Sequence, residues 1–293
     1  MTEESKSRNW HDKHYKHLLL IPAALLLFSL IYIGIFYSTT GDFIYKDISL
    51  TGGTSVTIYE KIDGAKLSQD LAEKLDDVNT RDISDLVTRE KKALIIETKS
   101  DGGETRQILE EYLGYELNEE NSSFEFTGSA LSESFFKQLL IAILFAFIFM
   151  AIVVFIIFRT FVPSTAVIIS AFADIVMTLA LVNLFGIKMS SAGIVAFLML
   201  IGYSVDTDIL LTTRILKRHE GTLNQKILGA FKTGITMTLT SLMAVLFALV
   251  VVKSFSVVLT QIFTVLAIGL GFDILNTWVT NVSILKWYVE GKK

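Results

Sequence analysis

Apolar residues in this chain gather into long blocks, separated by short polar loops and by one long charged stretch. A helix needs about 20 apolar residues to cross a hydrocarbon core about 30 Å thick. Six blocks reach that length: Leu18 to Tyr37, Leu139 to Phe158, Val162 to Phe185, Ser190 to Thr213, Thr233 to Val252 and Val257 to Leu285. The first has a longer apolar core than the roughly 7–15 residues of a signal peptide, and no A-x-A site follows it. It reads as an uncleaved anchor. The pattern therefore predicts a membrane all-α six-helix bundle. Residues 1–17 precede the first span at 18–37, a polar domain fills 38–136, five further helices occupy 137–285, and 286–293 form a tail.

The polar insertion has its own periodicity. Val56 to Tyr59, Ala93 to Thr98 and Ser123 to Thr127 read as strands. Leu67, Leu71, Leu75 and Val78 recur at helical spacing, with Ser68 as a candidate cap, and Glu104 to Tyr112 reads as a second helix. The order is β-α-β-β-α-β or close to it, which predicts an inserted ferredoxin-like α+β domain. Thr51-Gly52-Gly53-Thr54 reads as a structural turn before the first strand, and Asn121-Ser122-Ser123 is a glycosylation sequon.

Charge sets the orientation. Lys6, Arg8, Lys13, Lys16, Arg159, Arg214, Lys217, Arg218, Lys226, Lys286, Lys292 and Lys293 fall on one side if the spans alternate, while the opposite short loops hold only Lys188 and Lys253. Basic loops stay in the cytoplasm. Both termini are thus expected there, in a multi-pass protein of the cytoplasmic membrane, with 38–136 outside. Trp287 and Tyr288 suit an inner aromatic belt, and Phe36 and Tyr37 an outer one.

Composition narrows the chemistry. Of 293 residues 52% are hydrophobic, and the formal net charge of −4 argues against a nucleic-acid surface. The absence of cysteine excludes disulfides, thiolate chemistry and Cys-based zinc sites. His11, His14, His17 and His219 lie in basic segments outside the spans, without metal-ligand spacing, and read as solvated. No G-x-x-x-x-G-K-[ST], G-x-S-x-G or H-E-x-x-H motif occurs, so no enzyme activity, cofactor or metal is expected.

The informative residues are polar groups inside the spans. A charged side chain at a helix centre costs roughly 2.5–3.5 kcal/mol on insertion scales. Asp174, Asp206, Asp208 and Asp273 all fall within predicted spans, and no Lys or Arg lies deep enough to neutralise them. They are protonated, face a wet interior, or pair across helices, and each option suits a proton carrier. Asp206 and Asp208 point about 200° apart on a helix, so they cannot share a cavity. Asp206, above Gly202 and Met199, is the favoured proton site. Asp208 shares a face with Ser204 and Thr212, and with Arg214 nearby it has snorkelling as an alternative. Asp273, Asn276, Thr277 and Thr280 form one stripe on the last span. Thr233, Thr236 and Thr240 form another on the fifth. Those hydroxyls either support a relay or bond their own i−4 carbonyls and only pack.

These residues carry a resemblance. Ile201-Gly202-Tyr203-Ser204-Val205-Asp206-Thr207-Asp208-Ile209, running on to Arg214-Ile215, resembles the G-Y-S-V-D segment of the SecF family of protein-export membrane proteins. Leu50-Thr51-Gly52-Gly53-Thr54 resembles that family's D-F-T-G-G signature, with Ser49 in place of the acid and Leu50 in place of the phenylalanine. Lys232-Thr233-Gly234-Ile235-Thr236, with Thr238 and Thr240, resembles the basic residue and Thr/Ser-rich start of its fifth span. The likeness covers nearly the whole chain, and the pattern looks archaeal. It implies a member of the resistance-nodulation-division superfamily that pairs with a SecD-like subunit as a pseudo-twofold heterodimer beside a SecYEG-type channel. On that implication the fourth-span carboxylates take up protons, and the outer domains handle the translocating polypeptide. Asp206, Asp174, Asp273 and Asp208 are then the relay candidates, supported by Thr236, Thr240, Asn276, Arg214 and Lys232. The alternatives are half of a proton-driven small-molecule or lipid transporter, and a membrane scaffold without ion coupling.

Overall fold

The computed structural model describes residues 15, 17–85, 88, 90–217 and 220–291. Lys6, Arg8, His11, Lys13, His14, Lys16, Arg218, His219, Lys292 and Lys293 lie outside the described residues. In chain order the elements begin with helix α1 (Leu20–Thr40) and a short helix α2 (Ile48–Thr51). The inserted domain follows as β1 (Gly53–Ile58), α3 (Gly64–Leu71), β2 (Asn79–Ser84), β3 (Lys91–Thr98), α4 (Gly102–Leu113) and β4 (Ser122–Thr127). Then come α5 (Ser129–Phe158), α6 (Phe161–Leu184), α7 (Ser191–Lys217), α8 (Leu223–Val252) and α9 (Val257–Leu275). A π-helical segment (Asn276–Asn281) joins α9 to α10 (Val282–Glu290).

Six helices among the described residues are long and apolar enough to cross a membrane, as the hydrophobic blocks predict. They are unequal. About 61% of the apolar window of α6 and 56% of that of α7 is buried, against 6% for α5 and 17% for α8. The chain thus wraps its peripheral helices around a central α6–α7 hairpin that also packs on α9. Small residues allow the close approaches. A Cβ at Gly269 of α9 would meet the Leu200 side chain at 2.4 Å, and one at Gly234 of α8 would meet Trp278 at 2.4 Å.

The inserted domain is a four-stranded antiparallel sheet in the order β2-β3-β1-β4, with α3 and α4 on one face. This is the expected ferredoxin-like arrangement. Val56, Ile58, Leu67, Leu94, Ile96 and Leu109 form its core. Two local expectations change. Asp63, not Ser68, caps α3: its carboxylate accepts from Ala65 N at 3.1 Å, and the Ser68 hydroxyl turns to Val78 O instead. The helix ends at Leu71, yet Leu75 still reaches the core at 3% exposure. The sequon's Asn121 is tied inside its own turn, donating to Glu116 O at 2.9 Å.

The sheet domain is bonded to the membrane region at the α6–α7 loop. Met189 N donates to Tyr45 O at 2.7 Å, and Asp47 N donates to Met189 O at 3.0 Å. Ser191 N donates to Ser49 Oγ at 3.0 Å, and the Ser49 hydroxyl donates to Asp47 Oδ1 at 2.6 Å. Lys188 pairs with Asp77 at 2.8 Å. Burial alone would raise the pKa of Asp77, but Lys188 and Lys99 outweigh it and hold the carboxyl below its ordinary value. Glu97 lies on the sheet face away from α3 and α4, close to Asp47 and Lys188. Burial raises its pKa, with Arg81 opposing.

Two outcomes follow. Ile96→Ala removes a side chain that is 0% exposed, and urea unfolding of the sheet domain should register a loss of about 2–5 kcal/mol. Glu97 holds its proton more tightly folded than unfolded, so its contribution is full at acid pH and fades as pH rises through its folded titration. Thermal melts between acid and neutral pH should therefore show a decline that Glu97→Gln abolishes, while Asp77 acts with the opposite sign at the acid end.

Candidate functional site: a buried acid layer and an exposed aspartate

The rotation of α7 separates its two acids as helical geometry requires. Asp208 is 0% exposed and points into the bundle, whereas Asp206 lies exposed on the outer surface near the middle of the helix. Asp208 therefore does not snorkel toward Arg214. Asp174 of α6 and Asp273 of α9 are also 0% exposed. The structure thus gathers three of the four candidate carboxyls and leaves out the favoured one.

Each buried acid is held by neutral donors. Asp174 accepts from the Ser204 hydroxyl of α7, and from Asn276 Nδ2 at 2.7 Å. Asp273 accepts from Thr277 Oγ1 at 3.1 Å and from Thr238 Oγ1 of α8 at 3.4 Å. Thr207 Oγ1 lies 3.1 Å from Asp273 Oδ1 and 2.9 Å from Ser204 O. Asp208 accepts from Asn281 Nδ2 at 2.7 Å. Thr280 Oγ1 donates to Asn276 Oδ1 at 3.1 Å, which fixes the amide that serves Asp174. None of the salt bridges among the described residues involves these acids. No group of three or more His, Asp or Glu among the described residues is arranged to hold a metal ion.

The π-helical segment makes the layer possible. On an α-helix, residues five apart diverge by about 140°. A π turn closes i→i+5 hydrogen bonds and brings such residues back toward one face. Asn276 and Asn281 are five apart, both are 0% exposed, and they serve Asp174 and Asp208 respectively. Such turns recur at functional sites. Helical spacing finds Asn276, Thr277 and Thr280 but misses Asn281, which falls outside an α-helical stripe. Ser170 is also missed, because it hides among apolar neighbours, and so is Thr207, which stands between the two more conspicuous acids Asp206 and Asp208. A buried amide pair in an otherwise apolar span was the available signal.

The remaining candidates sit elsewhere. Arg214 donates to Gly229 O, and to Thr233 Oγ1 at 2.9 Å, tying α7 to α8 near the end of α7. Lys232, Thr236 and Thr240 are exposed on α8, opposite its packed Gly234 and Thr238. The Thr236 and Thr240 hydroxyls donate to their own i−4 carbonyls at 2.8 and 2.7 Å, so they belong to the helix and not to the acid layer. Gly202, one turn before Asp206, has open space where a Cβ would point.

Comparison with known proteins then bears on identity. The family described as protein export membrane protein SecD/SecF, C-terminal, matches residues 108–291. The protein-export membrane protein SecF of Methanocaldococcus jannaschii is 42% identical over 282 residues, spanning 94% of this chain and 96% of the relative. That of Methanothermobacter thermautotrophicus is 40% identical over 95% of this chain and 94% of its own length. The crystal structure of SecDF from Thermus thermophilus superposes with a TM-score of 0.72 at 18% identity, which is a likeness of fold. It covers 99% of this chain, and the chain spans 40% of that longer one. The chain is a multi-pass membrane protein that belongs to the SecD/SecF family of protein-export membrane proteins, with SecF proteins as its full-length relatives.

Proposed function

We propose that this chain is the SecF-type subunit of a proton-driven accessory complex that promotes polypeptide translocation through a Sec channel. The observation that carries this reading is the exposure of Asp206 at the middle of an apolar helix. A carboxyl facing lipid there would cost roughly 2.5–3.5 kcal/mol. A second membrane protein covering this face removes that cost. Gly202 leaves room for a close-packed helix, and exposed Lys232 on the neighbouring α8 adds a second polar group to be covered. A SecD-like subunit is the partner that fits, because the SecDF fold carries both halves in one chain, of which this chain spans 40%.

The chemistry is proton exchange. Asp206 is the proton carrier of this reading at the subunit boundary, while Asp174, Asp208 and Asp273 form a polar layer of hydroxyl and amide donors with no ion pair among the described residues. One charge crossing 100 mV releases about 2.3 kcal/mol, enough to bias two packings that differ by a few kcal/mol. The basic loops put both termini in the cytoplasm and the sheet domain outside, where it meets the emerging polypeptide.

Export into inverted vesicles, with and without a proton gradient, tests the reading. Asp206→Asn should still co-purify with the SecD-like partner, yet lose gradient-stimulated export by roughly tenfold or more. Thr236→Val and Thr240→Val should leave export within about twofold of the parent, since their hydroxyls serve only their own helix. Equal gradient stimulation of the parent and Asp206→Asn would overturn the proton-coupled role.

A further inference from the structure

Asp208 is the acid that the layer leaves half-satisfied. Its Oδ1 accepts from Asn281 Nδ2 at 2.7 Å. Its Oδ2 has no hydrogen-bond partner among the described residues, and neither do Asn281 Oδ1, Ser170 Oγ and Thr212 Oγ1. All four residues are 0% exposed. They come from three elements and surround one carboxyl. Asn281 is bonded to it, Thr212 lies one turn further along α7, and the Ser170 hydroxyl of α6 lies near it without hydrogen-bond geometry.

The atoms define what fits between them. Asp208 Oδ2 and Asn281 Oδ1 only accept, and the one nearby amide N–H is already directed at Asp208 Oδ1. Ser170 and Thr212 both donate and accept. A small molecule with two donor hydrogens and two lone pairs matches this set, and buried waters typically make about 2–4 such bonds. A bare cation would coordinate the oxygens but take no hydroxyl hydrogen.

We propose that Asp208, Asn281, Ser170 and Thr212 hold a water molecule inside the bundle, and that this water is the proton-exchange partner of Asp208. The site is separate from exposed Asp206. Its role rests on the proton-coupled reading above, but its existence does not.

The chain has no cysteine, so a single introduced thiol reports on its own surroundings. Ser170→Cys and Thr212→Cys are each made in the full chain, in membranes, and treated with the small neutral reagent 2-hydroxyethyl methanethiosulfonate. Leu211→Cys, at 0% exposure in an apolar cluster of the same helix, is the control. A thiol reacts through its ionised form, which needs hydration. Both test thiols should react about tenfold or more faster than the control. Reaction of both no faster than Leu211→Cys would overturn the water site. Protection by sodium chloride but not by choline chloride at equal ionic strength would also overturn it, replacing water with a cation. Export is not the readout, so a negative result here leaves the Asp206 test standing.

Discussion

A polar side chain inside hydrocarbon must find a partner, because nothing in the lipid will bond it. That requirement sorts the intramembrane residues of this chain into three groups. Asp174, Asp208 and Asp273 turn inward and meet hydroxyls and amides from α7, α8 and the π-helical segment. Thr236 and Thr240 return their hydroxyls to their own helix. Asp206 and Lys232 do neither and stand on the outside. The first group needs a bundle, the second needs nothing, and the third is what the proposed partner would cover. The central hairpin, the π turn and the small-residue contacts are all ways of meeting the first demand without an ion pair.

The six spans were legible because a bilayer imposes length and composition directly on the sequence. The sheet domain was partly legible. Strands β1 and β3 carry apolar residues at alternate positions that face a common core, and β4 adds Phe124 to it while Phe126 is 65% exposed. Strand β2 escaped, since Asn79-Thr80-Arg81-Asp82-Ile83-Ser84 has one large apolar residue in six. Its place is fixed by pairing with β3, which runs in register from Asn79↔Glu97 to Ile83↔Ala93 and shifts at Ser84, and not by any pattern of its own.

The four intramembrane carboxyls were legible in the sequence, and their placement in the bundle was not. The cost of burying carboxylates identifies all four aspartates, and helical arithmetic separates Asp206 from Asp208. What that arithmetic lacks is the absolute rotation of α7. Gly202, one turn before Asp206, leaves room for a close neighbour, but the space beside it is open among the described residues. Close packing against a partner leaves the same signature in sequence as close packing within a bundle. Asn281 was missed for a different reason: it enters the layer only because the helix departs from 3.6 residues per turn.

The arrangement also bears on how a change in the acid layer can reach the outer domain. The covalent links to that domain run through α1 and α5, yet these are peripheral, with 22% and 6% of their windows buried. The acids sit instead on α6, α7 and α9. The loop between α6 and α7 carries Lys188 and Met189, which bond Asp77 and Tyr45 on the side of the sheet domain. Asp174 and Ser204, on the two arms of that hairpin, bond to each other directly. Asp174 thus ties the two arms together, and the hairpin tip is one place where the sheet domain is held; Ser84 N of β2 also donates to Ser254 O in the loop between α8 and α9 at 2.9 Å. Packed helices shift between discrete arrangements and do not deform smoothly. The hairpin thus carries the acid layer near its middle and a contact to the sheet domain at its tip, with α1 and α5 beside it.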